Sequence, residues 1–230
     1  MDSDGKLDID FSTVFASNIH DIKNLLFNLL GTLDNAILES SGGPDQQWMS
    51  QLRFNGQRIN DKLVQLLAIY RIDAARYQPD MEYHSALEFV QDQLAETRPL
   101  AEARGIVVEA DIAQDIDWVF DRDLVGGAIS SALHNALSYA RHRIRLSARL
   151  DEAGFLVLAV SDDGNGYPRE MLAPNGAASG QIDFKSGRTG LGTLFCATVA
   201  AAHRNKAVRG RIQFGNGGPL GGANFELWLP

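Results

Sequence analysis

The segment Val160-Ser161-Asp162-Asp163-Gly164-Asn165-Gly166 constrains the fold of this chain more than any other. An apolar strand pattern leads into it, ends on a carboxylate and continues through two glycines at alternate positions. A strand that ends on an acid places an anionic acceptor at the rim of a pocket. Glycines leave the backbone bare enough for a flat ligand to approach. The segment therefore predicts a ligand site at one end of a β-sheet.

A second glycine cluster, Gly187-Arg188-Thr189-Gly190-Leu191-Gly192, opens an apolar helix. Backbone amides at a helix N-terminus form a phosphate site, so the two clusters together predict a nucleotide. A plain loop with spare glycines is the alternative for the first cluster. A dinucleotide fingerprint is excluded because Pro168 follows and no helix begins there. The clusters also lack a Walker lysine and the closing glutamate of a calcium loop.

The composition of the chain limits the kinds of partner and compartment that we expect for it. The net charge of −8 and the pI of about 5.1 argue against nucleic acid, which requires a basic stripe. The acidic N-terminus is not a signal peptide, no apolar run is long enough to span a bilayer, and Cys196 is the single cysteine. We therefore expect a cytoplasmic chain with no membrane span and a buried, unreactive thiol. The basic residues of the C-terminal region are expected to form a solvated connection: Arg204, Lys206, Arg209 and Arg211.

Apolar residues at three- and four-residue steps predict two long helices, separated by a break at residues 40–45. The first stripe comprises Val14, Phe15, Ile19, Ile22, Leu26, Leu29, Leu30, Leu33 and Ile37, and the second comprises Trp48, Leu52, Ile59, Leu63, Leu66, Leu67 and Tyr70. An antiparallel hairpin of two helices buries both stripes poorly. A second chain would complete a four-helix bundle, so we expect a homodimer. Packing of the hairpin on its own chain is the alternative.

After a linker at residues 76–80, strands and helices alternate irregularly, which predicts an α+β sandwich with helices on one face of a mixed sheet. The predicted strands are Met81–Tyr83, Ile106–Glu109, Trp118–Phe120, Ile144–Leu150, Phe155–Asp162, Arg211–Phe214 and Asn224–Leu229. The predicted helices are Ser85–Ala103, a helix capped by Asp121 that reaches Tyr139, and Leu191–His203. The long loop Tyr167–Thr189 is a candidate lid. We expect a helical hairpin domain at residues 1–78 and the sandwich at residues 79–230.

Two polar residues on predicted helices are candidates for chemistry. Asn135 has small or polar neighbours at helical spacing, which suits a pocket lining, although a mid-helix asparagine usually faces solvent. Its amide oxygen is a suitable ligand for Mg²⁺ that bridges phosphates. His20 lies at the exposed edge of the first stripe and shares a face with Asn24. Most such histidines are surface residues, but an exposed imidazole is a competent phosphoryl acceptor.

At this point the chain resembles a two-component histidine kinase transmitter, from about residue 11 to the C-terminus. Ile19–Asn24 resembles the phospho-acceptor H-box, Leu133–Leu137 the N-box, Asp162–Gly166 the G1 box and Gly190–Gly192 the G2 box. Asn224–Pro230 resembles the closing strand. Each segment is weak alone, but the shared order makes a strong joint signal. The resemblance implies a four-helix bundle on dimerisation and a sandwich of the GHKL ATPase (Bergerat) type.

The resemblance also implies roles. His20 would take the γ-phosphoryl group, and Asp21 would orient and deprotonate the His20 imidazole. Asn24 would position a water that dephosphorylates the phospho-aspartate of a response regulator. Asp162 would accept a hydrogen bond from the adenine amino group, and Asn135 would hold Mg²⁺. The remaining residues implied to line the ATP site are Gly164, Gly166, Thr189, Gly190, Leu191 and Gly192.

The sequence departs from the family pattern in two places. Ser138 stands near the point where the N-box usually carries a basic residue, with Arg141 or His142 as substitutes, and the lid has only Phe184 as a candidate for its aromatic box. An ATP-dependent histidine kinase that transfers phosphate to an aspartate of a response regulator is our first hypothesis. A histidine phosphotransferase with a degenerate ATPase-like domain, relaying phosphate between receivers, is the second. A non-catalytic docking module is the third.

Overall fold

A computed structural model describes residues 22, 24–29, 31–32, 46–73, 77–112, 116–172 and 191–230. The described residues between 22 and 32 are helical (α1), and a second helix, α2, covers Gln46–Asp73. The predicted turn between these helices, together with His20 and Asp21, lies outside the described residues. The hairpin itself therefore stays a prediction.

The rest of the chain forms an α+β sandwich. Its strands are β1 Glu82–Ser85, β2 Val107–Ile112, β3 Asp117–Phe120, β4 Arg143–Leu150, β5 Leu156–Asp162, β6 Arg204–Asn205, β7 Val208–Arg209, β8 Arg211–Asn216 and β9 Ala223–Leu229. Its helices are α3 Ala86–Glu102, α4 Arg122–Tyr139, α5 Arg169–Leu172 and α6 Leu191–Ala202. The predicted strands and helices are confirmed to within a few residues, whereas α5 and the strands β6 and β7 were not predicted.

The central sheet has the order β2-β4-β5-β9-β8, with β2 parallel to β4 and the other pairs antiparallel. Every residue of β5 is buried, while β4 and β9 alternate between buried and partly exposed positions. Side chains of α3, α4 and α6, such as Phe89, Ile129 and Phe195, share one core with the inward residues of the sheet. The predicted mixed sheet is confirmed, and it places the acid at the end of β5 in the middle strand.

Helix α2 presents apolar residues on two faces rather than in one stripe. Leu66 and Ile69 are buried and belong to the same core as α4 and α6. Leu63, Leu67 and Tyr70, which the sequence places in the same stripe, are 50%, 48% and 40% exposed. The difference arises because the helix packs on its own sandwich with one face and leaves an apolar face open beside it.

A buried polar cluster, made of Tyr77, Asp121 and His203, ties the linker to α4 and α6. Asp121 Oδ2 accepts hydrogen bonds from the Tyr77 hydroxyl at 2.7 Å and from the Asp80 amide at 2.9 Å. Asp121 Oδ1 accepts from the Leu124 amide at 2.8 Å, which confirms the predicted helix cap. The Asp121 amide donates to His203 Nε2 at 3.0 Å. Burial, together with the Asp121 bond, raises the pKa of Tyr77 to about 12.

The C-terminal basic residues form a β-hairpin rather than a plain connection. Strands β6 and β7 pair through Arg204 and Arg209, and Lys206 occupies the turn with φ of 55°. These side chains are exposed, as predicted, but the Arg211 guanidinium lies 4.0 Å from the centre of the Trp228 ring. Cys196 is buried, and burial raises the pKa of its thiol to about 12, as expected for an unreactive cysteine. Among the described residues, no helix has the length and apolarity needed to cross a membrane.

Candidate nucleotide-binding site

The site is built around Asp162, the last residue of β5, which is 3% exposed. Its Oδ1 accepts hydrogen bonds from the Gly164 amide at 2.8 Å and the Ala223 amide at 3.1 Å. Its carbonyl accepts from the Gly222 amide at 3.0 Å. These bonds fix the carboxylate through one oxygen. Within the described part of the chain, the other oxygen has no hydrogen-bond partner, so it is available to a ligand donor.

The residues that follow Asp162 form a tight turn, residues 162–167, which we call the G1 turn. A Cβ on Gly164 would lie 2.4 Å from the Tyr139 carbonyl oxygen. Gly166 has φ of +81°, and a Cβ there would lie 2.7 Å from the Asn216 side chain. The sequence predicted these glycines from close approach of a ligand, but the protein's own packing already requires both.

Asp163 anchors the G1 turn to the start of β4, a role that the sequence analysis missed. Its carboxylate accepts hydrogen bonds from the amides of Arg141 at 2.8 Å, His142 at 3.0 Å and Arg143 at 3.1 Å. Burial opposes ionisation of this group, but the amide donors outweigh it and lower the pKa of Asp163 to about 2. The adjacent pair of acids was the only sequence signal for this anchor.

Helix α4 brings Asn135 to the same end of the sheet. Asn135 is exposed, and its side chain shares a hydrogen bond with the hydroxyl of Tyr167, the last residue of the G1 turn. Ser131 lies one turn earlier on α4, and a Cβ added to Gly192 would be only 2.9 Å from its Oγ. The N-terminus of α6 therefore packs against α4 beside Asn135. The structure thus brings the N-box helix, the G1 turn and the G2 end of α6 together.

Two basic residues near this end, Arg141 and His142, make contacts that the sequence did not predict. The Arg141 guanidinium donates to Asn165 Oδ1 at 2.5 Å and is held at the G1 turn. His142 is 80% exposed, with its Nδ1 3.6 Å from the Asp163 carboxylate. The Ser138 hydroxyl donates to the His134 carbonyl at 3.0 Å, so Ser138 supplies the helix backbone with a bond and brings no charge to the site.

Helix α2 also reaches the region next to Asn135. His134 Nδ1 lies 2.8 Å from Asp61 Oδ2 of α2, and both side chains are largely buried. No sequence pattern predicts this pair, because it depends on how α2 packs against α4. The contact places a titratable group of the helical segment one residue from the candidate magnesium ligand.

The other predicted site residues fall in three classes. Leu191 is 1% exposed and anchors α6 in the core, so only its backbone is available to phosphate. Asn24 is exposed on α1. Thr189 and Gly190, like His20, Asp21 and most of the candidate lid with Phe184, lie outside the described residues.

The residues present fit a Mg²⁺ ion that is bound mainly by the nucleotide and takes only a few ligands from the protein. In the described part of the chain, no group of three or more His, Cys, Asp or Glu side chains forms a metal site of its own. Mg²⁺ bound to a nucleotide takes few protein ligands, because phosphate oxygens and water complete its octahedral shell. One exposed amide oxygen from Asn135 meets that need.

Comparison with known proteins gives the same picture. Residues 120–230 match the family described as histidine kinase-, DNA gyrase B-, and HSP90-like ATPases. Sensor histidine kinase GraS of Staphylococcus epidermidis is 25% identical over 154 residues, which make up 67% of this chain and 42% of that protein. Sensor protein kinase GraS of Staphylococcus aureus is 26% identical over 155 residues, with the same shares. The match thus spans less than half the length of these curated relatives.

Solved structures share the fold. Histidine kinase AdeS of Acinetobacter baumannii has a TM-score of 0.62 at 17% identity, covering 91% of this chain and 96% of that one. Mycobacterial sensor histidine kinase MprB has a TM-score of 0.52 at 20% identity, covering 65% of this chain and 97% of that one. Residues 120–230 thus form an ATPase domain of this family, and the chain is similar in sequence to sensor histidine kinases and in fold to solved histidine kinases.

Proposed function

We propose that the chain is an ATP-dependent protein histidine kinase, which phosphorylates its own His20 and passes the phosphoryl group to an aspartate of a response regulator. One observation carries the proposal: Asp162 is buried at the end of the central strand, and backbone amides hold one of its oxygens while the other is left to a ligand. A buried carboxylate without a full set of donors is costly, and the amino group of adenine supplies the missing donor.

The rest of the nucleotide would follow the line from the G1 turn to α6. The Asn135 amide oxygen would hold Mg²⁺, which neutralises the charge of the phosphates when it is bound. Backbone amides of Thr189, Gly190, Leu191 and Gly192 would face the triphosphate at the start of α6. Contact between Gly192 and Ser131 supports this arrangement, because it sets the end of α6 against the helix that carries Asn135.

Phosphoryl transfer would use the helical segment. A ring nitrogen of His20 attacks the γ-phosphorus, an N–P bond forms as the bond to the bridging oxygen breaks, and ADP leaves with that electron pair. The proton on the other ring nitrogen passes to Asp21, the role that the family resemblance implies. Such a transfer depends on positioning and charge neutralisation more than on covalent chemistry.

The exposed face of α2 supports a homodimer. Leu63 and Leu67 form an apolar face that is left about half exposed, at 50% and 48%. A second copy would bury this face in a four-helix bundle, with His20 and Asn24 on its outer surface. There a receiver domain would accept phosphate, and Asn24 would position water for the reverse, phosphatase reaction. We propose that this activity takes place in the cytoplasm, because it needs ATP and a response regulator.

Incubation of the purified chain with radiolabelled ATP and Mg²⁺ tests the kinase proposal. We expect an acid-labile label on the wild type and none on His20→Ala. His84→Gln, a change on β1 away from the site, should label like the wild type and controls for a general effect of removing an imidazole. Label that persists on His20→Ala would contradict the proposal.

A histidine phosphotransferase is the second candidate, and Ser138 is the observation that favours it. Its hydroxyl is bonded to the helix backbone, so the position leaves the phosphates without a cation from α4. A phosphotransferase would accept phosphate from a phosphorylated receiver and show no measurable binding of ATP. Magnesium-dependent binding of ATP would decide for the kinase.

A further inference from the structure

The side chain of Asn216 makes a two-point bond to the backbone of Tyr167. Its Oδ1 accepts from the Tyr167 amide at 2.7 Å, and its Nδ2 donates to the Tyr167 carbonyl at 2.9 Å. A carboxamide carries the same donor and acceptor as a peptide group, so Asn216 offers Tyr167 the pair of bonds that a neighbouring strand would offer. Asn216 is the last residue of β8, paired through its own backbone with Ala223 of β9. The bond therefore fastens the G1 turn to the central sheet.

The glycine before Tyr167 is what allows this bond. A Cβ on Gly166 would lie 2.7 Å from both Cγ and Oδ1 of Asn216. No rotation of a bonded carboxamide relieves contacts to both atoms, so any larger residue at 166 displaces the Asn216 side chain. Position 166 therefore needs glycine for two reasons: its positive φ, and the space that the Asn216 side chain occupies.

Once fastened, Tyr167 connects the sheet to the N-box helix. Its ring packs edge-on against Phe214 of β8, with centroids 4.9 Å apart and an interplanar angle of 78°. Burial and the nearby Asp162 charge raise the pKa of its hydroxyl, whereas the hydrogen bond with Asn135 acts in the opposite sense. Tyr167 therefore joins the G1 turn both to the sheet and to the helix that carries Asn135.

We propose that Asn216 is a positioning residue of the nucleotide site, which holds the G1 turn in its binding shape before the nucleotide arrives. The inference rests on the proposed nucleotide site. Asn216 acts through Tyr167 and Gly166 and touches neither base nor phosphate. Without Asn216, part of the binding free energy would be used to order the G1 turn, so nucleotide binding should weaken. The phosphoryl-transfer step itself should not change.

Calorimetric titration with ATP and Mg²⁺, combined with hydrogen exchange, tests the inference on the full chain. Asn216→Ala is expected to raise the Kd for ATP roughly fivefold, the effect of a net loss of about one hydrogen bond. The rate of phosphorylation at saturating ATP should be unchanged. The Tyr167 amide should exchange faster in the nucleotide-free protein. Gln213→Ala, which removes an exposed amide side chain from the same strand, is the matched control and should leave these quantities at wild-type values.

A double-mutant cycle with Gly166→Ala sharpens the test. If Gly166 acts by making room for the Asn216 side chain, the two substitutions should not be additive. The fold-loss of affinity in the double variant should be smaller than the product of the fold-losses in the two single variants. Asn216→Asp provides a folded alternative, because it keeps an acceptor for the Tyr167 amide but sets a charged oxygen against the Tyr167 carbonyl. We expect it to bind ATP as weakly as Asn216→Ala, with a thermal midpoint near that of the wild type.

The outcomes separate this inference from the proposed function. Wild-type affinity and wild-type exchange of Tyr167 in Asn216→Ala would overturn the inference, while a loss of affinity in Asp162→Asn in the same experiment would leave the nucleotide site intact. Wild-type affinity in Asp162→Asn would instead overturn the nucleotide site, whatever Asn216→Ala shows for the exchange of Tyr167.

Discussion

Asp163 shows how a single side chain fixes the site without touching a ligand. Three consecutive amides, from Arg141 to Arg143, donate to its carboxylate and join the start of β4 to the G1 turn. An ionised aspartate suits this role better than asparagine, because the His142 amide also donates to its second oxygen at 3.1 Å, where asparagine would place a competing donor. Its neighbour Asp162 is the proposed ligand residue, and Asp163 holds that residue's strand end in place.

We predict that Asp163→Asn lowers the free energy of unfolding by about 2 kcal/mol at neutral pH, because a charged acceptor of several amides is lost. The pKa of Asp163 is lowered to about 2 from its ordinary value of 3.8, so its contribution to stability is complete above about pH 4 and disappears as the pH falls toward 2. Denaturant unfolding of both proteins between pH 2 and pH 7 measures this. A constant gap between the two curves down to pH 2 would contradict the assignment.

At the scale of residues, the sequence indicated the candidate ligand residues but not the side chains that hold them in place. Asp162, Gly164 and Gly166 stand next to one another, so their spacing alone indicated a site. Asn216 and His203 act on residues that are distant in the chain, through side-chain bonds that depend on the packed fold. No local pattern distinguishes an asparagine at a strand end that grips a neighbouring turn from one that faces solvent.

At the scale of elements, the cluster of Tyr77, Asp121 and His203 joins the linker to both helices of the nucleotide site. Asp121 caps the N-terminus of α4, which carries Asn135, whereas His203 directly follows α6, the helix whose N-terminus is the proposed phosphate end. The Asp121 amide donates to Nε2 of His203, and Nδ1 of the same ring lies 2.7 Å from the Val199 carbonyl. This pattern requires a neutral ring with its proton on Nδ1.

Stability should therefore depend on pH through His203, which is 1% exposed. Burial lowers its pKa, against the smaller effects of the Val199 carbonyl and the Asp121 charge. A lowered pKa means that the unfolded chain binds the proton more readily, so the stabilisation is complete above about pH 6.5 and falls as the pH drops below it.

We predict that His203→Gln flattens this dependence, since glutamine offers an acceptor to the Asp121 amide and does not titrate. The wild type should lose stability relative to the variant between pH 6.5 and pH 5, measured by denaturant unfolding at fixed ionic strength. Parallel pH profiles for the two proteins would show that His203 has no part in the effect.

The open face of α2 makes a separate prediction about assembly. Leu67→Glu places a charge in the proposed dimer contact and should weaken dimerisation roughly tenfold or more, because burial of an unpaired carboxylate is costly. Sedimentation equilibrium measures the change. Leu150→Glu, at an apolar position of similar exposure at the end of β4, is the control and should leave the dimer intact. A wild-type chain that is monomeric, or a Leu67→Glu chain that dimerises normally, would contradict the proposed bundle.

At the scale of the whole molecule, the fold was largely predictable and the packing of α2 was not. Alternating and helical periodicities predicted the order of strands and helices, and the order of the short motifs indicated the family. The pattern of α2 predicted one apolar stripe, whereas Leu66 and Ile69 pack on the sandwich and Leu67 stays open. The periodicity of apolar residues shows which side of a helix they occupy. It does not show whether the chain's own sandwich or another partner covers them.

The proposed kinase activity depends on a nucleotide that docks against Asp162. Titration of the purified chain with ATP and Mg²⁺, set beside the same titration of Asp162→Asn, tests it most directly. We predict saturable, magnesium-dependent binding by the wild type and an affinity roughly tenfold lower in the variant, because the adenine amino group loses a charged acceptor. Equal affinity in the two proteins, or no binding by the wild type, would contradict it.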